Sequence, residues 1–284
     1  MNAAEGYDRL TLSDGKTFAL VAATCRERFS QLELGDPSTL FRNVELQGWA
    51  TGGRVPHAIV RVGQESWVVK SYRRGGWVGR WNQDRYLGNS RFLREMEVCT
   101  LALREGVPTI APVALVLSRE ALGWRAWLVT PFVDNAFTFQ DLLNDPESAL
   151  EPHQVSTSVL RQLGRAAGTA VRRMHETGID HPDLNLGNLL AVRSSLKEGP
   201  ADVRILDWDR ARLRDGPSPY GFQNLLRLLR SALKKLPDER LLSICLQAFL
   251  RGYFQGDVAG LRSLRAYHRR KAFVAIGLHR LFWR

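Results

Sequence analysis

Apolar residues change their spacing along this chain, and the change predicts two structurally different parts. Between residues 41 and 133, short β-rich runs such as His57–Val62 and Ser66–Tyr72 are interrupted by one helical run, Asn89–Glu105. From residue 134 onward helical spacing takes over, as in Val155–Thr177, whose apolar residues recur every three or four positions. We therefore predict an α+β fold class with a β-rich N-lobe and a helical C-lobe.

The predicted elements divide the chain into three segments. Residues 1–40 are an N-terminal extension with a strand-like stretch at Thr17–Ala23, residues 41–133 form the N-lobe, and residues 134–284 form the C-lobe. A chain of 284 residues with 44% hydrophobic content can bury a core. We expect no membrane span, no signal peptide and no disulfide framework, because the apolar runs are short and the three Cys residues are widely spaced. These features favour a protein of the reducing cytoplasm.

The most specific chemical signal is the stretch from His181 to Asn188, which is followed by Asp207. Asp183 precedes Asn188 by five positions, and a short apolar stretch leads on to Asp207. This order and spacing are similar to the protein-kinase motifs H-R-D-L-x-x-x-N and D-F-G, although the Arg, the Phe and the Gly of those motifs are replaced. A surface loop that happens to be rich in Asp and Asn is the alternative interpretation.

The chemistry of phosphoryl transfer explains these residue types, because it asks a protein mainly for positioning and charge neutralisation. Asp183 suits the role of accepting the proton of the acceptor hydroxyl. Asn188 and Asp207 suit Mg²⁺, since hard cations prefer oxygen ligands. His181 is expected to orient the loop backbone through hydrogen bonds. Apolar runs on either side of Lys197–Pro200 predict a hairpin that brings Asp207 back beside Asn188, so ATP and Mg²⁺ are the predicted cofactors.

A Lys within the β-rich run Ser66–Tyr72 extends the kinase interpretation upstream. Lys70 is similar to the strand Lys that contacts the α- and β-phosphates in kinases. Glu95 and Glu97 both lie in the helical run that follows, and we prefer Glu95 as the partner of Lys70. An exposed strand Lys and a solvated helix Glu are the alternatives.

Nucleotide-binding groups are expected at two further places in the N-lobe. Gly52 and Gly53 lie between two predicted strands, where glycines would let backbone N–H groups approach phosphate oxygens; a plain hairpin turn is the rival interpretation. Thr130, Phe132 and Val133 end a β-rich run that is predicted to enter the hinge between the lobes. We expect Thr130 at the back of an adenine pocket and the backbone of the other two residues at the base.

Several of these segments resemble the lipopolysaccharide-core sugar kinases, which are the Kdo kinases and their relatives the heptose kinases. The resemblance covers roughly residues 45–235. It rests on the catalytic loop, His181–Asn188, together with Tyr72–Gly76, Arg85–Leu87, Leu93–Met96, Asp207–Arg212 and Asn224–Ser231. The chain departs from the family pattern in two places. Trp208 stands where Phe is usual, and the N-terminal segment is long. The resemblance implies a bilobal protein-kinase-like fold. It also implies ATP-dependent phosphorylation of an inner-core sugar hydroxyl, of Kdo or of heptose, at the cytoplasmic face of the inner membrane.

A net charge of +11 predicts an anionic partner. Because the chain carries no nucleic-acid-binding motif, we expect an anionic glycolipid such as lipid A with Kdo or inner core, and no nucleic acid. Arg73 and Arg74, in an Arg-rich segment after the strand, are expected to bind this acceptor through their planar guanidinium groups. The basic, aromatic segment from Arg262 to Arg284 suits peripheral contact with an anionic membrane, or else packs on the core with its charges solvated.

Two other functions remain compatible with the sequence. A small-molecule kinase of the aminoglycoside-phosphotransferase type would share the architecture, but an acidic cleft would favour it and the Arg-rich segment argues against it. A catalytically inactive kinase-fold protein that binds a partner or a membrane is the other possibility. The complete set of Lys70, Asp183, Asn188 and Asp207 argues against that.

Overall fold

The fold is taken from a computed structural model, which describes a large part of the chain in two compact units. The described residues are 6–12, 14–30, 45–50, 57–72, 85–150, 155–214, 221–234 and 238–282, with backbone only for 45–50, 197–198 and 271–282. The first unit comprises Met1–Glu105 and Thr109–Asp134, and the second comprises Gly106–Pro108 and Asn135–Arg284. The predicted segment limits at residues 40 and 133 stay a proposal.

An antiparallel sheet forms the first unit. Within the described residues its strands are β1 (Tyr7–Thr11), β2 (Thr17–Ala22), β3 (Glu45–Ala50), β4 (His57–Val62), β5 (Glu65–Ser71), β6 (Ala114–Glu120) and β7 (Gly123–Pro131). They are ordered β1-β2-β6-β7-β5-β4-β3 across the sheet. The stretch predicted at Thr17–Ala23 is therefore β2, which pairs with β6 and makes the N-terminal segment part of this sheet.

In the part of the chain that the structure describes, α1 (Arg26–Ser30) and α2 (Ser90–Arg104) pack on opposite faces of the sheet. Successive residues of a strand point to opposite faces, and β6 is buried on both. Its Val116 belongs to the cluster that contains Phe29 of α1, whereas Leu115 belongs to the cluster that contains Phe92 and Met96 of α2. The helical run predicted at Asn89–Glu105 is α2, so this prediction is confirmed.

Helices dominate the second unit, as predicted. The helices are α3 (Phe139–Asn144), α4 (Pro146–Ala149), α5 (Thr157–Glu176), α6 (Ser195–Glu198), α7 (Phe222–Leu233), α8 (Glu239–Phe254) and α9 (Val258–Phe282). The strands are β8 (Ala136–Thr138), β9 (Ile179–Asp180), β10 (Leu189–Val192), β11 (Val203–Ile205) and β12 (Arg212–Leu213). They form one sheet of order β11-β10-β8 and the pair β12-β9. None of the helices, within the residues described, is long and apolar enough to cross a membrane.

The long helix α5 is the centre of this unit. Its N-terminus is capped by Ser156, whose side chain accepts from the backbone N–H of Val159. All of the residues predicted to form its apolar side are buried, namely Leu160, Leu163, Ala167, Ala170, Val171 and Met174. Gly168 lets α8 approach closely, because a Cβ at this position would collide with the carbonyl oxygen of Phe249. The packing fixes the end of α5, from which the catalytic-loop segment continues.

The predicted hairpin is also present. Strands β10 and β11 pair antiparallel with Leu189 opposite Ile205. The connection differs from the prediction, because Ser195–Glu198 form a helical turn and the turn therefore begins before the predicted Lys197–Pro200.

Candidate active site

Lys70 lies on β5 and turns toward α2. Its neighbour Val69 is buried in the cluster on the α1 side of the sheet, so alternation along the strand directs Lys70 to the opposite face. There its Nζ lies 3.3 Å from Oε1 of Glu95. Glu97 is exposed on the same helix. The structure thus pairs Lys70 with Glu95, the partner that we preferred, and not with Glu97.

Glu95 is a buried carboxylate with 2% of its side chain exposed, and a buried charge is costly without partners. Lys70 bonds to one of its oxygens, and the hydroxyl of Tyr72 donates to the other. The Lys70 ammonium also lies 5.0 Å from the centre of the Tyr72 ring. These contacts hold the ammonium in one position, with 22% of the Lys70 side chain still exposed.

The structure describes only some of the other residues of the first unit that were predicted to bind nucleotide. Thr130 lies in β7 opposite Val68 of β5. The N–H of Phe132 donates to the carbonyl of Ser66 at 2.8 Å, so an adenine base would have to use other backbone groups of the segment through Val133. Strands β3 and β4 form the predicted antiparallel pair. Gly52 and Gly53, which connect these strands, and Arg73 and Arg74 lie outside the described residues.

The loop from His181 to Asn188 is tied to the residues just before Asp207. The N–H of Leu206 donates to the carbonyl of Asn188 at 2.9 Å, one position beyond the last pair of the hairpin. The side-chain amide of Asn188 donates to the carbonyl of Asp183 at 3.1 Å. The structure therefore brings Asp183, Asn188 and Asp207 into one neighbourhood of the second unit. With its NH₂ group directed at Asp183, Asn188 has its amide oxygen as the candidate metal ligand.

Asp207 has a left-handed backbone, with φ 63° and ψ 71°. Residues other than Gly rarely adopt this conformation, and such strain tends to persist at functional sites where the surroundings enforce it. The next residue, Trp208, is 3% exposed, and its ring lies 5.4 Å from that of His181. Trp208, which stands where the kinase motif has Phe, is thus a packed core residue.

His181 organises this loop from a fully buried position. Its Nε2 lies 3.1 Å from the carbonyl oxygen of Leu206, and because a carbonyl only accepts, Nε2 carries the proton. Its buried Nδ1 has no hydrogen-bond partner within the described part of the chain. Burial lowers the pKa of His181, which favours the neutral ring. These contacts suit the predicted orienting role.

A second buried histidine, His175, links three helices to the loop. The side-chain oxygen of Asn224 on α7 accepts from His175 Nε2 at 3.0 Å and from the backbone N–H of His181 at 3.0 Å. The other nitrogen of His175 accepts from the hydroxyl of Tyr253 at 2.8 Å, and that hydroxyl accepts from Gly221. Burial favours the neutral form of His175, which completes these hydrogen bonds and fits a structural helix-end residue. Its partners lie too far along the chain for the sequence to indicate them.

We expect the stability of the protein to fall in mild acid because of His175. Burial lowers the pKa of His175 from 6.5 to about 4, so the unfolded chain binds a proton at a pH where the folded protein does not. The stabilisation is complete above pH 6.5 and is lost as the pH falls toward 4, by about 3 kcal/mol at roughly 1.4 kcal/mol per unit. His181 adds a change of the same sign.

Urea unfolding at a series of pH values measures this effect. His175→Gln should show a clearly smaller loss of unfolding free energy between neutral pH and pH 4 than the wild type. His268→Gln, a change of an exposed histidine on α9, serves as the matched control and should keep the wild-type slope. Equal slopes in all three proteins would refute the assignment.

Two arginines that the sequence did not indicate contact Asp183. Nε of Arg210 lies 3.2 Å from one carboxylate oxygen, and Nη2 of Arg227 lies 2.9 Å from the other. Arg210 belongs to the stretch Asp207–Arg212, and Arg227 belongs to α7. Both stretches carried the family resemblance, which was the available signal, but neither residue had been given a role.

The described residues of the second unit form an apolar cavity. It measures about 560 Å³ and lies among α3, α5, α7, α8 and α9. Its walls include Leu143, Leu186, Leu225, Leu246 and Phe249, and do not include Asp183, Asn188 or Asp207. Because Leu186 and Leu189 line it, the cavity borders the segment that carries Asn188, but its walls are mainly apolar and include none of the predicted catalytic side chains.

The fold and the site together define a protein of the protein-kinase-like fold. A solved structure described as WaaP in complex with acyl carrier protein matches 89% of this chain and 97% of that chain, with a TM-score of 0.54 and 19% identity. This likeness confirms the predicted α+β, kinase-like fold class.

The chain belongs to the lipopolysaccharide kinase (Kdo/WaaP) family, which it matches over residues 51–253. Relatives named 3-deoxy-D-manno-octulosonic acid kinase occur in Actinobacillus succinogenes, at 32% identity over 173 residues, and in Xanthomonas oryzae pv. oryzae, at 30% over 171 residues. Each match covers 59% of this chain. The chain spans 66% and 61% of the length of these two relatives, which is less than two thirds.

Proposed function

We propose that this protein is an ATP-dependent kinase that phosphorylates a sugar hydroxyl, of Kdo or of heptose, in the lipopolysaccharide inner core. The observation that carries the proposal is the arrangement of Asp183, Asn188 and Asp207 around the end of the β10–β11 hairpin. Family membership and the names of the matched relatives support an acceptor of the Kdo type; heptose is the neighbouring possibility.

Asp183 acts on the acceptor hydroxyl in this proposal. A carboxylate accepts hydrogen bonds on both oxygens and can take the hydroxyl proton as the oxygen–phosphorus bond forms. Its side chain is 30% exposed, which leaves room for an acceptor. His181 and Asn188 bond to the backbone around Asp183 and Leu206, so they hold the loop in shape while the carboxylate reacts.

Asn188 and Asp207 have the donor atoms that magnesium prefers, an amide oxygen and a carboxylate. We propose that they hold Mg²⁺ with the nucleotide, where the ion neutralises charge on the phosphate oxygens. A pair of this kind is compatible with the absence, within the described residues, of any cluster of three or more His, Cys, Asp or Glu side chains that could hold a metal. The enforced left-handed backbone of Asp207 supports a functional position for its carboxylate.

Lys70 is proposed to contact the α- and β-phosphates, with Glu95 and Tyr72 holding the ammonium in place. Lys70→Met should then lower the rate at saturating ATP by about 10²-fold, since preorganised charge stabilisation is typically worth that much. Glu95→Gln should lower the same rate through misplacement of Lys70. Glu97→Gln, an exposed change on the same helix, should stay close to the wild type.

Steady-state kinetics at fixed acceptor concentration measures these rates, with circular dichroism to verify folding. A wild-type rate in folded Lys70→Met protein would remove Lys70 from the phosphate site.

The acceptor is proposed to be lipid A that carries Kdo or inner core, reached at the cytoplasmic face of the inner membrane. The net charge of +11 supports an anionic surface as partner. On α9, Arg262, Arg265 and Arg269 are exposed, while Tyr267 packs on Phe222 of α7 at 5.6 Å. The described start of α9 thus combines core packing with an exposed basic side, and peripheral membrane contact is part of the proposal.

An acceptor panel tests the proposed function. ADP release is followed with Mg²⁺ and ATP in the presence of Kdo-bearing lipid A, a heptose-bearing core lipid, lipid A without either sugar, or an aminoglycoside. We expect release to accelerate with the Kdo-bearing lipid, and less or not at all with lipid A alone. Acceleration by the aminoglycoside only, or by none of the acceptors while the protein is folded, would contradict the proposal.

A further inference from the structure

Two guanidinium groups converge on the carboxylate of Asp183. Arg227 lies 2.9 Å from one oxygen and Arg210 lies 3.2 Å from the other. The arginine side chains are 55% and 65% exposed, whereas Asp183 is 30% exposed. The two cations therefore face solvent beside the proposed proton acceptor.

Separate elements fix the two arginines. Arg210 ends the short helical turn Trp208–Arg210, which follows the strained Asp207 and is anchored by the buried Trp208. Arg227 projects from α7 one turn after Asn224, whose buried side chain binds the backbone of His181. Both elements belong to the same unit as the loop that carries Asp183. The triad of Asp183, Arg210 and Arg227 is therefore held within that one unit.

Within this triad, one negative charge meets two positive charges. Each guanidinium has five N–H donors in a planar fork, and a single shared carboxylate engages only some of them. An arginine fork is well suited to bind a second carboxylate through parallel hydrogen bonds. Because both arginine side chains are largely exposed and Asp183 is half-buried, these ion pairs are partly solvated, and another anion can exchange with Asp183 at modest cost.

We infer that Arg210 and Arg227 bind the carboxylate of an acidic sugar acceptor, and that Asp183 holds them until the acceptor arrives. The inference rests on the proposed function, which it deepens by naming the residues that recognise the acceptor. When the acceptor carboxylate takes the guanidinium groups, Asp183 is released to the hydroxyl of the same sugar. The hydroxyl proton passes to Asp183, the new oxygen–phosphorus bond forms, and the bond to the ADP leaving group breaks.

In this arrangement the charge of the acceptor sugar determines whether Asp183 is free to accept the hydroxyl proton. A neutral sugar leaves Asp183 bound to both arginines, while an acidic sugar frees it. Recognition of the acid would then act on binding and on the rate together. It would come from residues of the second unit, in addition to whatever Arg73 and Arg74 contribute.

A binding experiment with two matched pairs of acceptors tests the inference. The first pair is Kdo-bearing lipid A and the same lipid with its sugar carboxylate converted to a methyl ester, and the second pair is the same acid and ester on a lipid without phosphates. Titration calorimetry should show the ester binding about ten- to hundredfold more weakly than the acid, as expected for lost charge-assisted hydrogen bonds. Removal of the lipid phosphates should preserve this difference.

Variants of the two arginines test whether these residues cause the difference in affinity between the acid and the ester. Arg210→Gln and Arg227→Gln should bind acid and ester with nearly equal affinity, whereas Arg227→Lys should keep part of the preference because it keeps the charge. Arg230→Gln is the matched control, since Arg230 is an exposed arginine one turn further along α7. It should keep the full wild-type preference.

Three results would overturn the inference. Equal binding of acid and ester by the wild type would exclude carboxylate recognition, and loss of preference only on removal of lipid phosphates would assign it to phosphate. If the Gln variants lose rate equally with both acceptors while keeping the binding preference, the arginines only position Asp183. Preferential binding without any phosphoryl transfer would instead refute the proposed function and leave the carboxylate site standing.

Discussion

Replacement of Asp183 by Asn is expected to leave nucleotide binding nearly intact and to lower phosphoryl transfer by about 10²–10⁴-fold, the usual contribution of a positioned acid–base group. The substitution preserves the size of the side chain and removes the group that accepts the hydroxyl proton. It also removes the anion that competes with the acceptor for Arg210 and Arg227, so acceptor binding should not weaken while the rate falls.

The control for this experiment is Asp202→Asn. Asp202 is an aspartate of the same unit in an ion pair with Arg204 at 2.6 Å, and it carries no proposed role. Single-turnover rates with saturating acceptor separate chemistry from binding, and the control should react at the wild-type rate. Near-normal transfer by Asp183→Asn would exclude Asp183 as the proton acceptor.

Replacement of Asp207 should remove magnesium-dependent nucleotide binding. Removal of a side chain that hydrogen-bonds to a metal ligand typically lowers metal affinity by about 10–100-fold. Removal of a carboxylate that binds the ion directly should lower it at least by the upper end of that range. Ala also fits the left-handed backbone at φ 63° poorly. We therefore expect Asp207→Ala to lose up to about 1 kcal/mol of stability in addition, because Asp already carries part of the left-handed penalty.

Asp207→Asn separates these two effects. Asn adopts the left-handed conformation more readily, so this variant should stay close to the wild type in unfolding free energy while losing most magnesium-dependent binding. Binding of a fluorescent ATP analogue across a magnesium titration measures both variants. An unchanged magnesium dependence would show that the metal ligand has been misassigned.

Local segments were the part of this protein that the sequence predicted best. The helices α2 and α5 carry their own apolar periodicity, and the β10–β11 hairpin joins strands that are close along the chain. The pairing of Lys70 with Glu95 was also predictable, because a strand Lys and a following helix with a Glu are a recurring combination.

Contacts between distant segments were not predictable in the same way. Asn224 bonds to His175 and His181, and the hydroxyl of Tyr253 bonds to His175, which lies 78 positions earlier in the chain. No spacing rule relates such residues, since helix packing alone brings them together. The arginines around Asp183 and the pairing of β2 with β6 were missed for the same physical reason.

The most direct test of the central claim is mass spectrometry of the glycolipid after incubation with the protein, Mg²⁺ and ATP. We predict a gain of one phosphoryl group, located by fragmentation on an inner-core sugar and not on the lipid. The same incubation with folded Asp183→Asn should leave the mass unchanged over the same time. A glycolipid of unchanged mass with the folded wild-type protein, or a phosphoryl group found on another part of the molecule, would contradict the account.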